Sequence, residues 1–265
     1  VVLAKVGRIL KPKTAEVERT KDHAPPFVIG NLQKLFQFRQ RERTACVFVS
    51  PASVLNHLPR VGRNMLGKKS LRHRGTDDGK VKGQRNSGTD NHTNNLEWGM
   101  SASPLIVDDK VIVQPGGSRG ASIAAYNKTT GASVWKSLSD KQAYTSPMLV
   151  TLGGRRQIIT VTARRAIGVA PEDGALLWEY PWVTEYDVNS SQPLIVDANR
   201  FFISSGYGHG AALVELKPAG SRFEARTVWS NNRMKNKFNS SVLHDGHVYG
   251  LDEAILACVN VETGE

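Results

Sequence analysis

The chain has 265 residues, 35 Lys+Arg against 24 Asp+Glu, and a formal net charge of +11. That length can bury a core and supports one or two domains. No apolar run is long enough to span a membrane as a helix. The isolated Cys46 and Cys258 define neither a disulfide framework nor a zinc site. The start, Val1–Leu10, is interrupted by Lys5 and Arg8 and shows no secretory signal pattern.

The charge is unevenly placed. Residues 1–95 hold 19 Lys+Arg and 7 Asp+Glu, with four Phe and no Trp or Tyr. Residues 96–265 hold 16 and 17, with all five Trp and all six Tyr. The two parts are therefore read separately. In the first, residues 31–43 predict a short amphipathic helix, and Val47-Phe48-Val49 is an apolar run closed by Pro51. Residues 60–95 are rich in Gly, Lys, Arg, Asn, Asp, Ser and Thr. Such a stretch cannot offset an ordering entropy of about 1–2 kcal/mol per residue, so it reads as disordered. Lys68–Arg74 is a candidate phosphate-binding patch or a solvated basic tail; no aromatic side chain interleaves its charges to stack on bases. The whole of 1–95 is expected to lack the architecture that follows, and a non-native start is an alternative reading of it.

Residues 96–265 contain an internal repeat. Ser103-Pro-Leu-Ile-Val107, Ser146-Pro-Met-Leu-Val150, Gln192-Pro-Leu-Ile-Val196 and Ser240-Ser-Val-Leu243 are versions of one segment, with Pro104, Pro147, Pro193 and Ser241 spaced 43, 46 and 48 apart. A second element follows, Ala125–Trp135 and again Gly168–Trp178, each with a Gly four residues before its Trp. A third unit closes on Thr227-Val-Trp229, and the fourth, Cys258–Glu265, stops inside the element. In the first unit the predicted strands are Pro104–Val107, Val111–Gln114, Ser122–Tyr126 and Ala132–Trp135, with turns at Asp108–Lys110 and Lys128–Gly131. Asn127 can bond the backbone across its turn and Gly131 supplies positive φ. Four short strands per period of about 40–50 residues are the signature of a propeller blade. The predicted fold is all-β, a partial β-propeller of three blades and part of a fourth, over 101–136, 144–180, 189–230 and 238–265. A blade buries its faces only on its neighbours, and the recurring Trp suits that contact.

The Ala, Asn/Asp-turn, Thr-Gly and Trp element resembles the tryptophan-docking motif of pyrroloquinoline quinone (PQQ) repeats. Ala125, Asn127, Thr130, Gly131 and Trp135 match it; so do Gly174 and Trp178, and Asn260, Thr263 and Gly264, while Trp229 ends the looser third copy. The resemblance covers residues 96–265 and nothing before. It implies seven or eight blades, so this sequence reads as part of a larger bacterial propeller whose cut edge would expose unpaired strand groups. A WD40 repeat is disfavoured by the absence of a Trp-Asp dipeptide.

In a four-strand meander, the approach to strand one and the loop between strands two and three lie at the same end. The approaches carry Ser101 and Ser103, Thr145 and Ser146, Asn189 and Ser190, Asn239 and Ser240; the loops carry Arg119, Arg164 with Arg165, Tyr207, His209 and Asp252 with Glu253. They form the candidate ligand-binding rim. A plainer reading is that the short polar residues only satisfy backbone groups. No catalytic residue and no metal site is assigned. The resemblance implies an extracytoplasmic binding module similar to the assembly-factor lipoproteins that scaffold outer-membrane protein insertion, with a protein or small-molecule ligand and no cofactor. The alternative is a quinoprotein dehydrogenase fragment, requiring PQQ, calcium and a carboxylate base; the vicinal cysteines frequent in those enzymes are missing here. A third reading is nucleic-acid binding through residues 1–95, which charge alone supports.

Overall fold

The computed structural model describes residues 46–49, 70–74 and 81–265. The predicted helix over 31–43 lies outside them. The chain divides into two units, residues 1–42 and 43–265, and everything below concerns the second.

Antiparallel sheets follow one another in chain order. The first holds β1 (Cys46–Val49), β2 (Ser70–Arg74) and β3 (Val81–Asn86). A single helical turn, α1 (Ser87–Asp90), follows, its start capped by the Asn86 side chain accepting from Thr89 N–H. The first blade is β4 (Leu105–Val107), β5 (Lys110–Val113), β6 (Ile123–Asn127) and β7 (Ser133–Ser137), paired in that order. The second is β8 (Met148–Leu152), β9 (Arg155–Val161), β10 (Arg165–Val169) and β11 (Leu176–Pro181). The third is β12 (Leu194–Ile195), β13 (Arg200–Ser205), β14 (Gly210–Ala219) and β15 (Arg222–Asn231). The fourth sheet is β16 (Val242–His244), β17 (His247–Asp252) and β18 (Ile255–Asn260). This is a partial β-propeller, as the repeat predicts.

The sheets stack by alternation along the strands. Ile112 faces the second blade with Ile123, Ala125 and Trp135, against Ile158, Ile167 and Val169. Its neighbours Val111 and Val113 point the other way and pack with Ala124 and Tyr126. Ile159, Val161, Trp178 and Trp182 meet Phe201, Ile203 and Val214 between the second and third blades. Phe202 and Leu213 meet Val248, Val259 and Val261 between the third and fourth. Each central sheet is thus apolar on both faces, and burying one large side chain there contributes about 1.5–3 kcal/mol. The face of the fourth sheet turned away from the third carries exposed Val242, Leu251 and Leu256.

The last hairpin of each full blade has a β-bulge at one place. Register shifts just after the pairs Ala125↔Trp135, Gly168↔Trp178 and Leu213↔Trp229. The turns before the Trp follow the expected chemistry. Asn127 Oδ1 accepts from the N–H groups of Thr129 (3.0 Å) and Thr130 (2.9 Å), and Asn260 Oδ1 from Glu262 and Thr263. Gly131, Gly174 and Gly264 take φ of +69°, +74° and +74°. The third blade replaces this turn with a long hairpin of two ten-residue strands.

The N-terminal side departs from expectation. Within 60–95, read as disordered, lie β2, β3 and α1. The β2–β3 pairing repeats the bulge after His73↔Gly83, so Gly83 stands where the later blades have Trp. Arg85 Nε donates to Gly131 O at 2.8 Å, just as Ser137 Oγ donates to Gly174 O and Asn231 Nδ2 to Gly264 O. Lys136 Nζ donates to Asp90 O, and Asn91 Nδ2 to the Tyr126 hydroxyl, so this segment is bonded to the first blade. Local composition concealed a segment that tertiary bonds hold in place.

Candidate binding rim

The approach segments interlock neighbouring blades. Ser103 N–H donates to Ser146 Oγ at 2.8 Å, and Gln192 N–H to Ser240 Oγ at 3.0 Å. Thr145 Oγ1 donates to Asn189 O at 2.8 Å, while Ser101 Oγ approaches Tyr144 O at 3.5 Å. Asn189 is buried, its Nδ2 donating to Thr162 O (2.9 Å) and Ala163 O (3.2 Å). Its Oδ1 accepts from Ser205 Oγ, which in turn accepts from Trp182 Nε1. Asn239 Nδ2 donates to Asn236 Oδ1 at 3.4 Å, and Ser190 is half-buried beside this network. A buried backbone group without a partner is unfavourable, and these short side chains supply the partners where two sheets meet.

The loop residues form two charged clusters and leave Arg119 exposed. Arg164 Nε and Lys141 Nζ each lie 3.3 Å from a carboxylate oxygen of Asp187. Asp252 Oδ1 is 2.5 Å from Lys235 Nζ. Glu253 accepts from Gly208 N–H at 3.3 Å and lies 3.7 Å from Lys237 Nζ. Tyr207 adopts φ +57°, a conformation unfavourable for a bulky residue. Lys237 Nζ sits 4.3 Å from its ring centroid, and the rings of Tyr186 and Phe238 meet it at 5.4 and 6.4 Å. His209 turns its ring against the edge of Trp182 at 4.4 Å, and burial pushes its pKa down.

Tyr207, Asp252 and His209 are therefore placed in the loops at the end where the approaches lie. What the rim residues chosen from sequence omit is aromatic. Trp98 is 66% exposed, Tyr186 57% and Phe238 73%. Trp98 pairs with Tyr144 at 6.2 Å. Tyr144 and Phe238 stand three residues before Pro147 and Ser241, a shared offset that could have marked them in the sequence.

A calcium ion takes six to eight oxygen ligands, usually with several carboxylates. The rim carboxylates do not fit one, because each is already beside a lysine, and no group of three His, Cys, Asp or Glu able to hold a metal occurs among the described residues.

The model of a PQQ-repeat family described as outer membrane protein assembly factor BamB matches residues 75–265. The match reaches back past Leu96, where the sequence resemblance was expected to begin, and takes in β3 and α1. No curated protein matches the chain. Among solved structures, the chain is similar to a europium-containing methanol dehydrogenase, with 10% identity and a TM-score of 0.44, over 74% of this chain and 46% of that one. It is also similar to the quinohemoprotein alcohol dehydrogenase ADHIIG from Pseudomonas putida HK5, with 14% identity and a TM-score of 0.35, over 75% of this chain and 31% of that one. The chain spans less than half the length of either.

Proposed function

Because this chain belongs to the PQQ-repeat family described as outer membrane protein assembly factor BamB, we propose that it is a non-catalytic extracytoplasmic binding module. Its ligand or protein partner meets it at the rim end of the blades. One observation carries this reading. Ser146, Thr145 and Ser240 of the approaches are engaged in blade-to-blade hydrogen bonds and Asp187 and Asp252 are paired with lysines, while the rings of Trp98, Tyr186 and Phe238 stand exposed at that end. Aromatic side chains combine large contact area with few rotatable bonds and are enriched where proteins bind partners. The blades beneath hold them on a rigid support. No helix among the described residues is long and apolar enough to cross a membrane.

The competing reading, a dehydrogenase, makes an opposite prediction. Titrating the full chain with PQQ in calcium-containing buffer should leave the quinone absorbance unshifted, and methanol or ethanol with an artificial electron acceptor should show no oxidation. A saturable absorbance shift accompanied by alcohol oxidation would overturn the binding-module reading.

A further inference from the structure

At the end where the approaches lie, a pocket of about 230 Å³ opens between three segments. Its walls are residues 92–96 ahead of the first blade, Gly116 and Ser118 of the loop between β5 and β6, and Lys141 with Gln142 between β7 and β8. That volume lies below the roughly 300–1,000 Å³ of sites for drug-sized ligands, so the occupant is small. Leu96 is the one large apolar side chain in the lining, and no carboxylate or thiol lines it. An apolar ligand would therefore meet polar walls, and a metal ion would find no anionic ligand. The side chains of His92, Asn95 and Ser118 line the pocket and have no hydrogen-bond partner among the described residues. Each can donate into it.

The charge around these donors is unbalanced. Elsewhere on the rim, Asp252 meets Lys235 and Glu253 meets Lys237, one cation to each carboxylate. Asp187 instead faces two cations, Arg164 and Lys141, each at 3.3 Å, and the Lys141 side chain stays 62% exposed. Arg119, next to Ser118, has no ion pair among the described residues. The carboxylates nearest in sequence do not offset this excess. Asp140 holds Arg165 at 2.7 and 2.8 Å, and Glu97 does not line the pocket. We propose that this pocket binds a phosphate group, which takes hydrogen bonds from Lys141, His92, Asn95 and Ser118. Phosphate oxygens are strong acceptors that point in several directions, as donors arriving from three segments require. The site rests on the reading of the rim end as a binding face and gives that face an anionic ligand.

Isothermal calorimetry and thermal melting of the full chain at low salt test the site with inorganic phosphate and pyrophosphate, with glycerol as the neutral comparison. At least one of the anions should bind saturably with a Kd of about 1 mM or tighter, and glycerol should not. Two variants should each weaken that binding about tenfold: Lys141→Met, and His92→Gly, which suits the φ of +50° there. Lys217→Met, in the long hairpin of the third blade, should bind as the parent does. Residues 92 and 141 are exposed, and near-UV circular dichroism confirms that each variant keeps its fold. Failure of both anions to give an isotherm or raise the thermal midpoint up to about 10 mM would overturn the proposal. So would undiminished affinity in both folded variants, or glycerol binding as tightly as the anions. Cosedimentation with phosphatidylglycerol vesicles separates the two sources of such a group: pelleting that pyrophosphate reverses places it on a lipid headgroup, and no pelleting leaves it on a free phosphate. Alcohol oxidation with PQQ would sink the binding-module reading whatever phosphate does, and silence toward phosphate would leave that reading standing.

Discussion

Gly131 and Gly174 occupy one turn position in successive blades, with φ of +69° and +74°, yet they meet different neighbours. A Cβ at Gly174 would lie 2.7 Å from Trp135 Cε3 and 3.0 Å from Ser137 Cβ, whereas at Gly131 the nearest atoms are on Arg85 at 3.7 Å. The backbone penalty of a left-handed alanine is about 1–2 kcal/mol and common to both. Overpacking against a ring adds about 1–3 kcal/mol more. Gly174→Ala should therefore lower the urea midpoint clearly more than Gly131→Ala does. Equal losses would mean that Trp135 gives way and that the indole does not hold the second blade's turn in place. The indole is also tied by a bond: Trp135 Nε1 donates to Pro171 O at 3.1 Å, and Trp229 Nε1 to Val261 O at 2.9 Å, in each case a carbonyl of the next blade's turn.

At the scale of the strand, Trp178 departs from that pattern because the third blade has no such turn to receive it. Its Nε1 instead donates to Gln157 Oε1 at 2.5 Å within its own sheet, and its ring rests on Phe201 at 5.0 Å. The bond passes over Gly168 of β10, where a Cβ would overlap the indole nitrogen, which is why Gly stands where the first blade has Ala125. Trp178→Phe should cost about 1–3 kcal/mol by stranding the wholly buried Gln157 oxygen, and adding Gln157→Leu should return part of that loss. Urea unfolding of the two single variants and the double variant closes the cycle; strict additivity would deny the coupling. The same strands show what the sequence made legible. Period, turns and Trp positions are local backbone chemistry, and the predicted strands of the first blade lie within two residues of those observed. The sheet β1–β3 was hidden because its marker position holds Gly83, and its supports, Arg85 to Gly131 and Asn91 to Tyr126, are contacts across 46 and 35 residues. The rim was half legible. Its polar approaches recur with the repeat, and Phe238 shares its offset with Tyr144, but Trp98 and Tyr186 do not recur, and only folding brings aromatic partners to them.

Over the whole molecule, ion pairs join the blades at positions remote in sequence. Arg156 of β9 holds both carboxylate oxygens of Asp108, at 2.8 and 2.9 Å, linking the second blade to the first. Arg200 of β13 holds both oxygens of Glu262, at 2.6 and 2.8 Å, linking the third to the fourth, while its Nε takes Asp197. The Arg156 hydrogen bond lowers the pKa of Asp108, and the Arg200 hydrogen bond lowers that of Glu262. A carboxyl group that is more acidic in the folded state binds fewer protons there than in the unfolded chain, so stability rises with pH through its titration. The contribution is fully present above the unfolded value of about 4. It is lost as pH falls through the depressed folded values. Both carboxylates are exposed to solvent, so screening keeps the effect small and salt should reduce it further. The thermal midpoint of the chain should therefore drop as pH is lowered from 6 to 3, with a shallower slope in the Asp108→Asn, Glu262→Gln double variant. An unchanged slope in that variant would mean that acid acts elsewhere. The stacked blades would then depend on their apolar interfaces and approach hydrogen bonds rather than on these bridges.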